Sequence, residues 1–114
     1  MAVSLSERSV GDITILRPSG RIDSQSSPEF ETALNHKLDS VQNVILDFGD
    51  VPYISSAGLR VVLVVAKRVS RSQGKFALAS LKPEIFSVFK ISGLTSVLKI
   101  FDTPDSALAS FGAR

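Results

Sequence analysis

The sequence predicts a single α/β domain built on a small, mostly parallel sheet, and three observations carry that expectation. From residue 43 onward, short apolar runs of strand length alternate with longer runs of helical spacing, the order that right-handed strand–helix–strand crossovers produce. The stretch Val44-Ile45-Leu46-Asp47-Phe48 is an apolar run of strand length, as a strand central in a sheet and covered on both faces requires. A chain of 114 residues, 44% of them hydrophobic, can bury one core. No linker, repeat or low-complexity segment interrupts it, so residues 1–114 are read as one unit.

The elements follow in order. Val3 to Ser9 and Asp12 to Pro18 read as two strands joined at Gly11-Asp12 in a hairpin, with Val10, Ile13 and Ile15 as β-branched positions. Ser26-Ser27-Pro28-Glu29 carries helix-start chemistry, a serine cap with a first-turn proline and early glutamates. Phe30, Ala33, Leu34 and Leu38 then recur at helical spacing and leave the lone His36 on the opposite face. After the central strand, about Ala57 to Arg71 reads as a largely buried helix with one wet stripe. Lys75 to Ser80 is a further strand, and Pro83 to Ile91 a helix with Ile85, Phe86 and Phe89 inward and Gly93 as its stop. Val97 to Phe101 gives a last strand. Thr103-Pro104-Asp105 opens a terminal helix to about Phe111.

Composition excludes several classes of function. Thirteen Lys and Arg stand against eleven Asp and Glu, a net charge of +2 that gives direct nucleic-acid binding no support. With no cysteine and one histidine, disulfides, thiolate nucleophiles and histidine-rich metal centres are unavailable, and neither a metal nor a cofactor is expected. The N-terminal stretch MAVSLSERSVGD offers no apolar core for a signal peptide. The longest apolar run, Val61 to Ala66, falls far below the roughly 20 residues of a membrane span. A cytoplasmic protein without membrane insertion is expected.

The segment Tyr53-Ile54-Ser55-Ser56-Ala57-Gly58-Leu59-Arg60 sets two hydroxyls at a strand-to-helix turn. A serine there caps the helix, and the same helix start welcomes an anion. A nucleophile elbow would need glycine two residues to either side of Ser56, but Ile54 occupies one of those positions and the only histidine has no sequence reason to approach. An aspartyl phosphorelay on Asp47 lacks the acidic pair that would hold Mg²⁺. No catalytic residue is assigned, and the protein is not expected to be an enzyme.

The run Asp47-Phe48-Gly49-Asp50-Val51-Pro52-Tyr53-Ile54-Ser55-Ser56-Ala57-Gly58-Leu59 resembles the signature of STAS-domain anti-sigma-factor antagonists. Gly20-Arg21-Ile22-Asp23 is similar to that family's turn after the second strand, and Ile91-Ser92-Gly93-Leu94 to its Gly-Leu turn before the final strand. The resemblance implies a STAS-like fold, a mixed sheet of four or five strands with helices packed mainly on one face. It also implies a partner-switching module. The unphosphorylated antagonist binds an anti-sigma factor that is a serine kinase of the GHKL type, phosphorylation releases it, and a PP2C-type phosphatase restores it, so that transcription is regulated indirectly.

By position in the motif the phosphoacceptor is Ser56. Ser55, standing where the family often has Asp, is the competing hydroxyl. Asp23, Ser55, Ser56, Ala57, Gly58 and Arg60 are the expected partner-binding residues. The other reading within the fold is a STAS subunit of a lipid or anion transporter complex, never phosphorylated, or a stressosome-type scaffold component. On the helix after the loop, Arg60, Lys67 and Arg71 share one stripe, with Arg68 to one side. That stripe is either a solvated face or a contact for an acidic partner.

Overall fold

The computed structural model describes residues 3–112, so the first two and last two positions of the 1–114 unit lie outside the described residues. Strands β1 (Ser4–Val10), β2 (Ile13–Ser19), β3 (Asn43–Asp47), β4 (Phe76–Ala79) and β5 (Ile100–Phe101) form one mixed sheet in the order β1-β2-β3-β4-β5. Only the β1–β2 hairpin, turning at Gly11-Asp12, is antiparallel; the other three pairings are parallel. The helices are α1 (Ser27–Leu38), α2 (Ser56–Arg71), α3 (Pro83–Ile91) and α4 (Pro104–Ser110). Each connects neighbouring strands except the terminal α4.

Alternation along the strands divides the core into two layers. Leu16, Val44, Leu46 and Leu78 point to one face and pack with Phe30 and Leu34 of α1, Val61, Val62 and Val65 of α2, and Ile85 and Phe89 of α3. Ile13, Ile15, Ile45, Ala77 and Ala79 point to the other and meet Ala107 and Leu108 of α4. Three helices therefore cover one face and one short helix part of the other, as expected. The central position of β3 explains its unbroken apolar run: Val44, Ile45 and Leu46 are fully buried.

Three sequence expectations are corrected. Phe86 was expected inward on α3, but it is 40% exposed while Ile85 and Phe89 are buried. Positions 85 and 89 stack one helical turn apart, and a residue one step from 85 lies about 100° round the axis, away from the core. The strand expected over Val97 to Phe101 shrinks to Ile100–Phe101. A 3₁₀ turn, Leu94–Ser96, stands just before it, and its exit holds Val97 and Leu98, whose N–H groups bond to the Leu94 carbonyl at 3.2 and 2.9 Å. Gly93 makes the reversal feasible by adopting φ +80°, where a side chain would be strained, and it ends α3 as anticipated. Finally, Ser26 occupies the N-cap position of α1 without a capping hydrogen bond. Its hydroxyl instead donates to the Arg21 carbonyl and accepts the Asp23 N–H. By contrast the Thr103 hydroxyl does cap α4, accepting the Ser106 N–H at 3.1 Å.

Candidate functional site: the serine loop

The loop between β3 and α2 is held at both ends by the sheet. Beyond its last paired residue β3 continues as Phe48, whose N–H bonds to the Ala79 carbonyl. Asp47 is buried; its carboxylate accepts the Gly49 N–H at 2.9 Å and one Arg17 nitrogen at 2.8 Å. Arg17 Nε reaches Asp50 at 2.8 Å, so a single guanidinium on β2 braces both acidic residues of the turn. The pairing pulls the Asp50 carboxyl below its usual range and raises Arg17, with the Asp50 hydrogen bond the largest cause of each shift. Asp47 is therefore an anchor of the turn.

A second tether joins this loop to the turn after β2. The Ile22 N–H donates to the Tyr53 carbonyl at 3.0 Å, and the Ser55 N–H donates to the Ile22 carbonyl at 2.8 Å, forming an isolated parallel bridge between Ile22 and Ile54. Both isoleucines are buried. Asp23 follows immediately, so the bridge carries it to the flank of the serine loop. Its carboxylate accepts the N–H groups of Gln25 and Ser26, each at 3.0 Å. These bonds, that from the Ser26 backbone first among them, hold its pKa below the ordinary value.

The two serines have different environments. Ser55 is the N-cap of α2 in extended conformation, and its hydroxyl accepts the Gly58 N–H at 3.3 Å. Ser56 is the first helical residue; it is exposed, and no hydrogen bond from the described residues engages its hydroxyl. Ala57 is half-buried. Gly58 is a steric requirement, because a Cβ there would stand 2.7 Å from both Ile22 Cγ2 and Ile54 Cγ1. The first turn of α2 thus sits directly on the bridge that carries Asp23. Arg60, one turn after Ser56, is exposed and reaches Glu31 of α1 at 3.3 Å.

All six predicted partner-binding residues accordingly meet at one end of the sheet. Sequence reasoning missed two neighbours, Arg21 and Tyr53, both exposed, with the guanidinium 4.3 Å from the ring centroid. An exposed aromatic beside the loop was the available signal; their pairing depends on the Ile22–Ile54 bridge. The expected basic stripe divides. Arg60 pairs with Glu31, and Arg68 bonds Asn35 of α1 and Asp39 at that helix's C-cap, whereas Lys67 and Arg71 have no carboxylate partner among the described residues. Among the same residues no cluster of three or more acidic, histidine or cysteine side chains could hold a metal, and no helix is long and apolar enough to cross a membrane.

A mixed five-stranded sheet with three helices on one face, a fourth on part of the other and a capped serine loop at a helix start defines a small α/β domain. The STAS domain family model matches residues 5–107, and the chain belongs to that family. The candidate anti-sigma factor antagonist BtrV of Bordetella bronchiseptica is 41% identical over 93 residues, spanning 81% of this chain and 80% of its own. The crystal structure of a candidate anti-sigma factor antagonist from Thermotoga maritima superposes with TM-score 0.88 at 26% identity, covering 93% of this chain and 92% of that one. The fold is also that of the anti-sigma factor antagonist SpoIIAA in its unphosphorylated form, with TM-score 0.78 at 18% identity over 97% of this chain and 99% of that one.

Proposed function

We propose that the protein is an anti-sigma-factor antagonist whose unphosphorylated form binds an anti-sigma factor with serine kinase activity of the GHKL type, and whose release follows phosphorylation of Ser56. A PP2C-type phosphatase would reset it. The single observation that carries this reading is the division of labour between the serines: Ser55 spends its hydroxyl on the cap, and Ser56 offers an exposed hydroxyl at the first position of α2. The relatives named above supply the class of partner.

The physics of the switch supports its sign. A phosphoserine adds nearly two negative charges and three acceptor oxygens. At the N-terminus of α2 the helix dipole favours that charge by about 0.3–1 kcal/mol, and Arg60 stands one turn away. Inside an interface the same group loses water, and each 1.4 kcal/mol of unmatched cost is a factor of ten in affinity. Asp23 on the flank adds like charge. The modification therefore opposes binding while leaving the fold intact, which is what a reversible partner switch requires. The domain acts as a binding surface, with the chemistry supplied by its partners.

Incubation with the cognate kinase and ATP is expected to add one phosphate, located on Ser56 by fragment mass spectrometry. Ser56→Ala should abolish the mass shift and Ser55→Ala should retain it. Phosphate on Ser55, or on neither serine, would overturn the assignment.

A further inference from the structure

A second surface lies along α2, away from the serine loop. Between α2 and the connection from α3 to β5 runs an open trough, floored by Leu63, Leu94, Val97 and Leu98 and about 500 Å³ in volume. Past Val97 and Leu98 it opens into a further hollow of about 360 Å³ at the ends of β4 and α4. Three lysines, Lys67, Lys75 and Lys99, line the two parts, and no carboxylate does. Lys75 is bonded to the Phe111 carbonyl, while Lys67 and Lys99 have no carboxylate partner among the described residues. Some cations elsewhere are matched across elements, as Lys37 is with Glu7, Arg60 with Glu31 and Arg68 with Asp39.

Val97, which lines the trough, is 66% exposed, and Ile91, two residues before the lining Gly93, is 86% exposed; no large apolar side chain among the described residues is more exposed than these two. A single exposed apolar residue is ordinary. An apolar floor that includes the exposed Val97 and is flanked by unmatched lysines is a recognition surface of defined sign. We propose that this trough docks an acidic amphipathic segment of a protein partner, its apolar side chains on Leu63, Leu94 and Val97 and its carboxylates on Lys67 and Lys99. A second copy of this chain is a poor occupant, because a two-fold contact sets this patch on its own copy, and the patch carries lysines but no carboxylate to match them. A bilayer is equally unsuited, since a flat surface cannot follow a concave floor. The inference goes beyond the serine-loop reading and does not rest on it.

The test uses the full chain and a synthetic helical peptide with Leu at i, i+3, i+4 and i+7 and Glu elsewhere, compared with the same peptide carrying Lys for Glu. Backbone amide shifts are expected to change at residues 63–70 and 91–99 on adding the Glu peptide only, with affinity falling as salt rises. The double variant Lys67→Glu/Lys99→Glu, confined to exposed positions, should weaken binding by about tenfold or more, and Val97→Asp should do the same with an unchanged melting temperature. Ser56→Asp should bind the peptide as the wild type does, which keeps the result separate from any outcome at the serine loop. Equal binding of the Lys peptide overturns the proposal, as do amide shifts confined to other faces. It is also overturned if the protein sediments with phosphatidylglycerol vesicles but ignores the peptide, or if it self-associates in a way that Val97→Asp abolishes.

Discussion

At the scale of the residue, the proposed function gives the serine pair two tasks that one hydroxyl could not perform together. A capping oxygen must face the free N–H groups of the first turn, whereas an acceptor of phosphate must face solvent. Ser55→Ala is expected to cost about 1 kcal/mol of stability, read from urea denaturation, because the Gly58 N–H loses its partner. Asp23 and Asp50 set a second expectation. Both carboxyls titrate below their usual value in the folded chain, through the N–H groups received by Asp23 and the Arg17 pairing of Asp50. Near pH 4 the unfolded chain thus binds more protons than the folded one, so the stability these groups contribute is present above the unfolded pKa of about 3.9 and is lost as pH falls through the lower folded value. Asp50→Asn should flatten that acid limb in a series of urea midpoints from neutral to acid pH. An unchanged slope would mean that Arg17 does not distinguish the ionised from the neutral carboxyl.

At the scale of the element, α2 is fitted to the bridge beneath it. Gly58→Ala should help the helix by about 1 kcal/mol through propensity alone. The Cβ, however, meets two buried isoleucine side chains at 2.7 Å, and overpacking of that kind costs about 1–3 kcal/mol. Net destabilisation is expected, together with weaker binding of the proposed kinase partner, because the turn that presents Ser56 must lift. A thermal melt with a binding titration checks both; a stabilised variant that binds normally would show that the contact is soft. The elements themselves were legible wherever the signal is local. The Val44 to Phe48 run, the Pro104 start of α4 and the Gly93 stop each depend on a few adjacent residues. What escaped depends on register. Arg17 meets Asp47 because Leu16 pairs with Leu46 across parallel strands, and nothing in either segment alone states that pairing. Similarly, α3 carries apolar side chains at 85, 86 and 89; once the sheet takes the stacked pair Ile85 and Phe89, helical geometry turns Phe86 outward, and which pair the sheet takes is not written in the segment itself.

At the scale of the whole molecule, the site occupies one end of the sheet while the mass of the core lies behind it. Ile22 and Ile54 carry the loop, and they belong to the same buried cluster as Phe48, Val62 and Leu78. The candidate site was legible in the sequence as a motif because its residues are nearly contiguous; the convergence of Asp23 upon it depends on the bridge. A platform supported in this way should tolerate charge at Ser56. With the dipole term at about 0.3–1 kcal/mol, and 1 kcal/mol shifting the midpoint of a domain this size by about 4–8 °C, Ser56→Asp should melt no lower than the wild type and at most a few degrees higher. Its affinity for the proposed anti-sigma kinase should nevertheless fall by about tenfold or more, since the aspartate is desolvated only in the complex. Calorimetric titration beside a thermal scan distinguishes the possibilities. A variant that melts early yet binds normally would place the effect of phosphate in the fold, whereas lost binding at an unchanged midpoint places it at the interface.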